Sequence, residues 1–254
     1  FDDAINQELS STQLSLLYFF SNTIGVPQYF DLLCKRNDIH NNIDFSNNLF
    51  LTSLVRESSL FIDFETKVHI FQKEIIEKFE FSRKNRFIMS APTSFGKTFI
   101  IYSIIKRMRY QNVVLLFPTI SLLSENLQRL IDLESKKILS NYKIITLSEE
   151  IPEGENNIFV FTPERFMTFV DKNPRYHYDF VFMDEIYKID NEFLSNDEDF
   201  ELQENSRDIS FRIALETAIS KANDCLLSGP FLNYVSDETM ANFIRDNEFT
   251  SLIY

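Results

Sequence analysis

The stretch Met89-Ser90-Ala91-Pro92-Thr93-Ser94-Phe95-Gly96-Lys97-Thr98 constrains this chain more than any other. It follows the apolar residues Phe87 and Ile88 and leads into Phe99-Ile100-Ile101-Tyr102-Ser103-Ile104-Ile105. That pattern predicts a buried strand, a tight loop, and a helix whose first turn carries Lys97 and Thr98. Backbone N–H groups of such a loop and of the helix amino end point at an anion, and the helix dipole favours its negative charge. Residues Pro92, Thr93, Ser94, Phe95, Gly96, Lys97 and Thr98 therefore form a candidate nucleotide-phosphate cradle. Lys97 is placed to reach the outer phosphates, and the Thr98 hydroxyl to ligate Mg²⁺. Ala91 stands where the first glycine of such a loop usually does. With only four glycines in 254 residues, each is expected where φ is positive or backbones approach closely, Gly96 first among them.

Downstream, short apolar runs alternate with helical patterns. Val113–Phe117, Lys143–Leu147, Ile158–Phe161, Phe180–Met183 and Cys225–Leu227 read as strands, the last of these being the final strand. Leu122–Ile131, Phe166–Val170 and Ile209–Ile219 read as helices. The expectation is an α/β fold with a central, mostly parallel sheet covered by helices on both faces. Ligands on such sheets bind at the carboxyl ends of the strands, where every polar motif of this chain falls.

Asp184 and Glu185 end the most apolar of these strands. Two adjacent carboxylates are costly unless a cation or solvent relieves them. Asp184 can hold Mg²⁺ through its water shell, and Glu185 can polarise a water for attack on a γ-phosphate. The separation between Lys97 and Asp184 suggests that their two strands are neighbours in the sheet.

With these motifs assembled, residues 65 to 232 resemble the first RecA-like, ATP-binding lobe of superfamily-two helicases of the DExD/H-box type. Ala91–Thr98 resembles motif I, Phe117-Pro118-Thr119 motif Ia, and Thr162-Pro163-Glu164-Arg165 motif Ib. Asp184-Glu185-Ile186-Tyr187 resembles motif II, and Ser228-Gly229-Pro230 motif III. The resemblance implies ATP and Mg²⁺ as cofactors, with Lys97, Asp184 and Glu185 catalytic and Thr98 and Asp184 on the metal. It implies that Gln72 reads the adenine edge. It also implies that Pro118, Thr119, Thr162, Pro163 and Arg165 contact one strand of nucleic acid through its phosphates, with DNA favoured over RNA. Ser228 and Gly229 would couple hydrolysis to movement along that strand.

Thr162-Pro163-Glu164 is also an ideal helix start, with an N-cap, a proline at the first position and an early carboxylate. Ile186-Tyr187 and Gly229-Pro230 depart from the commonest forms of motifs II and III. A second RecA-like lobe, outside these 254 residues, is expected to supply arginine fingers and half the strand-binding surface. The chain reads as part of something longer that binds ATP weakly and hydrolyses it very slowly alone. A P-loop ATPase acting as a conformational switch in a protein complex, without nucleic acid, is the alternative.

Residues 1–64 read as a small helical appendage and 65–254 as the ATP-binding lobe. An amphipathic helix at Val68–Phe79 carries Gln72. The helical leader and Asp-Glu-Ile-Tyr-Lys are similar to large bacterial anti-phage helicases of the Hachiman type, which implies a nuclease subunit as partner. The net charge of −13 argues against nucleic acid at face value. Charge is uneven, however: residues 190–208 are acidic, whereas Arg83-Lys84-Asn85-Arg86 and Lys106-Arg107-Met108-Arg109 are basic. Helix amino ends bind phosphate without an overall basic protein. Cys34 and Cys225 sit among leucines as reduced fillers, and three scattered histidines form no metal pattern. With no run of transmembrane length, the expectation is a cytoplasmic protein without membrane contact.

Overall fold

The computed structural model describes residues 9–37, 48–62, 66–92, 95–135, 139, 141–150, 152, 154, 156–186, 198–230 and 238–254. Its contacts divide the chain into two compact units, Phe1–Glu77 and Lys78–Tyr254. The first unit takes in Gln72 and all but the last residue of the helix that bears it.

That unit contains α1 (Ser11–Ile24), α2 (Pro27–Asn37), α3 (Asn48–Ser58) and α4 (Ile70–Lys78). A capping box starts α1: the Gln13 N–H donates to Ser10 Oγ at 3.3 Å, and the Ser10 N–H donates to Gln13 Oε1 at 2.9 Å. Gly25 ends it at φ 81°. A side chain there would also lie 2.7 Å from Ile70, so this glycine answers two constraints at once. Leu14, Tyr18, Phe30 and Leu33 form a small core. Beside it Lys67 pairs with Glu57 and, at 3.1 Å, with Asp31.

The second unit is a seven-stranded sheet in the order β3-β4-β2-β5-β6-β1-β7. Its strands are β1 (Arg86–Ser90), β2 (Asn112–Leu116), β3 (Lys143–Ile145), β4 (Asn157–Phe161), β5 (Tyr178–Met183), β6 (Ala222–Gly229) and β7 (Thr250–Ile253). Every pairing is parallel. The helices are α5 (Lys97–Met108), α6 (Ile120–Ser135), α7 (Pro163–Lys172), α8 (Glu198–Lys221) and α9 (Glu238–Asp246). Strands β1 and β4 are buried along their whole length, as unbroken apolar runs require when both faces are covered. On one face Ile88, Val114, Phe159, Val181 and Cys225 pack with Phe166 and Phe169 of α7 and with Phe211 and Leu215 of α8. Residues of the other parity, such as Phe87, Leu115, Val160 and Phe182, are equally buried.

Two expectations need correction. The strand ending at Asp184 is not beside the phosphate-loop strand, because β6 lies between β5 and β1. Nor is β6 the last strand, since β7 pairs with the far side of β1. Only Leu252 of β7 is buried, so this edge strand lacks the apolar run that marked the others.

A buried polar cluster fixes the amino ends of the central strands. The Asp224 carboxylate accepts from the Asn85 backbone N–H at 2.7 Å, from the Asn85 side chain at 2.8 Å, and from the Tyr110 hydroxyl. Burial, then the bond to Asp224, push the Tyr110 phenol well above its ordinary pKa.

Candidate nucleotide site at the carboxyl edge of the sheet

The phosphate loop leaves β1 where the register sets Ser90 opposite Gly229. The Ala91 N–H donates to the Gly229 carbonyl at 3.2 Å. Ala91 does not have a positive φ, which explains why alanine is tolerated where glycine is commoner. Gly96 does, at φ 80°, and it releases the chain into α5. Phe95 stacks on Tyr254 with ring centroids 5.7 Å apart. Thr93 and Ser94 lie outside the described residues.

Register explains how the distant motifs meet. Met183 is level with Leu227 in β6, so Asp184 emerges level with Ser228. The Ser228 hydroxyl donates to Asp184 Oδ1 at 3.1 Å, and the Glu185 N–H donates to the same oxygen at 2.9 Å. Lys97 Nζ lies 3.7 Å from Asp184 Oδ1. Lys97 is only 8% exposed, so this carboxylate is its local counter-ion where water screens least. Glu185 takes the left-handed conformation at φ 56°, which is strained for a residue with a β-carbon. Ile186 then turns inward against the core. The apolar residue in this motif II is therefore a packing residue. Tyr187 is not among the described residues.

The Thr98 hydroxyl faces α6. It donates to Asn126 Oδ1 at 3.0 Å and accepts from Arg129 Nη1 at 3.0 Å. Asn126 is buried and anchored by its own bond to the Leu122 carbonyl at 2.8 Å. Neither residue was singled out by the sequence, where α6 reads as an ordinary amphipathic helix. Among the described residues no cluster of three or more histidines, cysteines or carboxylates could hold a metal. A magnesium ion that keeps most of its water needs no such cluster.

Two of the residues expected to touch nucleic acid, Thr119 and Thr162, cap helices. Thr119 is exposed, and its Oγ1 accepts the Leu122 N–H at 3.3 Å. Thr162 is buried, and its Oγ1 caps α7 by accepting the Arg165 N–H at 3.4 Å. Pro163 is buried at the first position of α7. Arg165 donates to the Thr146 carbonyl at 3.3 Å. Pro118 is half-buried just after β2. In the N-terminal unit, Gln72 accepts the His69 N–H at 3.1 Å and so caps α4.

The sequence profile described as Type III restriction enzyme, res subunit matches residues 65–217, more than half of the chain. The chain belongs to that family. The res-subunit domain thus takes in β1 to β5 and most of α8, and with them the phosphate loop and the Asp184-Glu185 pair. Membership supports the expected helicase-type, nucleotide-hydrolysing lobe, and nothing favours the conformational switch without nucleic acid. A hypothetical ATP-dependent RNA helicase from Sulfolobus tokodaii shares the fold. It is 17% identical, with a TM-score of 0.50 over 82% of this chain and 57% of that one. The UvsW helicase from bacteriophage T4 is 16% identical, covering 91% of this chain and 78% of that one with a TM-score of 0.45. Among curated proteins, Anti-bacteriophage protein B of Escherichia coli (strain K12) is 29% identical over 149 residues. That match takes in 58% of this chain and 19% of the relative, so the chain corresponds to a small part of its length.

Proposed function

We propose that this chain is the ATP-binding lobe of a translocase or helicase that couples ATP hydrolysis to movement on nucleic acid. The observation that carries the reading is the meeting of Lys97, Asp184 and Ser228 at the carboxyl edge of β1, β5 and β6. Residues 92–98 bind the phosphates of ATP, with backbone N–H groups at the amino end of α5 facing the negative charge. Lys97 holds the outer phosphates and offsets charge as the terminal phosphoryl group leaves. Glu185 orients the attacking water and takes its proton. Thr98 and Asp184 would hold Mg²⁺, which on binding supplies charge neutralisation between the phosphates. The buried lysine–aspartate pair fits that role: Asp184 already serves a cation, and a metal ion held there would leave Lys97 available for phosphate.

The strand lies along Pro118, Thr119 and the amino ends of α6 and α7, with Thr162, Pro163 and Arg165 shaping the α7 end. Ser228 and Gly229 couple its position to Asp184. Gln72 contributes to adenine selection. DNA is favoured over RNA because the family is named for restriction enzymes. A second RecA-like lobe completes the active site, and a nuclease subunit is the expected partner in anti-phage defence. The name of the curated relative supports that setting. No helix among the described residues is long and apolar enough to cross a membrane. Two free cysteines support a reducing, cytoplasmic setting.

The test is ATP turnover by the full-length protein with and without single-stranded DNA or RNA. Stimulation by a nucleic acid, lost in Lys97→Ala and Glu185→Gln, is the expected result. Turnover indifferent to every nucleic acid would overturn the reading.

A further inference from the structure

At the opposite edge of the sheet, the amino ends of β1, β6 and β5 surround a cleft of about 550 Å³ lined by Lys84, Arg86, His177, Glu216, Lys221 and Phe243, among others. It belongs to none of the nucleotide-site motifs. In a chain of net charge −13 it gathers three basic side chains against one carboxylate. Two of them, Lys84 and Arg86, come from the basic cluster at the start of the phosphate-loop strand.

Arg86 is the central one. It is only 9% exposed, and its guanidinium donates to the Asn247 carbonyl at 3.1 Å and to the Ile219 carbonyl at 3.0 Å. Its face lies over the Phe249 ring at 5.8 Å. Its Nε–H is buried without a hydrogen-bond partner, and among the described residues Arg86 forms no ion pair. A buried cation without a counter-ion is unfavourable unless an anion completes the site. The two carbonyls hold the guanidinium in place, so a ligand would not have to order it. Lys221 is tethered to the Pro174 carbonyl, and exposed Lys84 makes no hydrogen bond or ion pair among the described residues. The remaining wall mixes apolar Ile219, Ala222 and Phe243 with polar Ser220, Asn223 and Asn247.

We infer that this cleft binds a small phosphate-bearing ligand of nucleotide size. Arg86, Lys84 and Lys221 take the phosphate, and a ring or other apolar body lies against Phe243. The volume falls in the range of small-molecule sites, and a wall of that kind beside convergent cations suits such a ligand better than a lone inorganic ion. The site is independent of the nucleotide site, whose Lys97 and Asp184 stand at the other ends of the same strands.

Lys97→Ala removes the phosphate-loop lysine, and AMP then serves as the probe because it lacks the outer phosphates which that lysine serves. Titration calorimetry should show one saturable AMP site in Lys97→Ala. Adenosine should bind at least tenfold more weakly, since a charge-assisted contact to phosphate is worth roughly tenfold or more. Adding Lys84→Glu, an exposed change that leaves the thermal unfolding midpoint in place, should weaken AMP by about the same factor. Absence of saturable AMP binding, equal affinity for adenosine, or indifference to Lys84→Glu would each overturn the proposal. Because Lys97 is absent throughout, failure here leaves the proposed ATPase reading untouched.

Discussion

Lys97 Nζ stands 3.7 Å from Asp184 Oδ1, although the two residues follow strands β1 and β5, which are not sheet neighbours. Strand β6 bridges them, with Ser228 donating to the same Asp184 oxygen. The nucleotide site is therefore a three-strand construction, and its parts can be tested separately.

Ser228→Ala removes one hydrogen bond to Asp184 and leaves Lys97 in place. A cost of about 1 kcal/mol in stability is expected. Basal ATP turnover of the full-length protein should persist while stimulation by nucleic acid falls. Equal loss of both in steady-state assays would make Ser228 part of the chemistry rather than of the coupling.

Arg129 is an exposed residue that donates to the Thr98 hydroxyl at 3.0 Å. This bond occupies an oxygen lone pair in competition with Mg²⁺. Arg129→Ala should tighten Mg²⁺-dependent binding of a fluorescent ADP analogue by roughly two- to threefold, the scale of a modest hydrogen bond. Binding without Mg²⁺ should not change. Weaker binding in Mg²⁺ would show that Arg129 instead holds Thr98 ready.

Asp224 accepts from Asn85 twice and from Tyr110 once at the buried amino ends of β6, β1 and β2. Asp224→Ala leaves those donors without an acceptor, at a cost of about 3 kcal/mol. Urea denaturation should register it as a lower midpoint with unchanged slope. A cost below about 1 kcal/mol would mean that water replaces the carboxylate.

In the N-terminal unit, Gly25→Ala combines a positive φ of 81° with a β-carbon 2.7 Å from Ile70. Strain of about 1–3 kcal/mol is expected. Hydrogen exchange should accelerate in α1 and α2 and stay unchanged in the sheet. Uniform acceleration would contradict the division into two units.

Burial lowers the His69 pKa from its ordinary 6.5, against a smaller opposing effect of Glu74. His69 Nδ1 also accepts the Phe71 N–H at 3.2 Å, which requires an unprotonated nitrogen. The unfolded state thus binds a proton more readily, and stability must fall as pH drops below about 6.5. Thermal unfolding between pH 7.5 and 5.5 should show a loss in the wild type that His69→Gln reduces. An identical pH dependence in both proteins would place the titration elsewhere.

The sequence alone determined the phosphate loop, the apolar strands β1, β2, β4 and β5, and the carboxyl-edge position of Asp184 and Glu185. These are local patterns: an unbroken apolar run demands burial on both faces, and Gly96 marks a loop position with a positive φ. The same local logic made Thr162 a helix cap, which is how its oxygen is used. Only the tertiary structure decided that β6 separates β5 from β1 and that β7 adds an edge. Strand order arises from pairings between residues far apart in sequence, and mostly exposed β7 carries no apolar signature of its own. Tertiary packing likewise turned the Thr98 hydroxyl toward Asn126 and Arg129. It also gathered Lys84, Arg86 and Lys221 around one cleft, because a side chain's partners depend on which distant backbone is brought beside it.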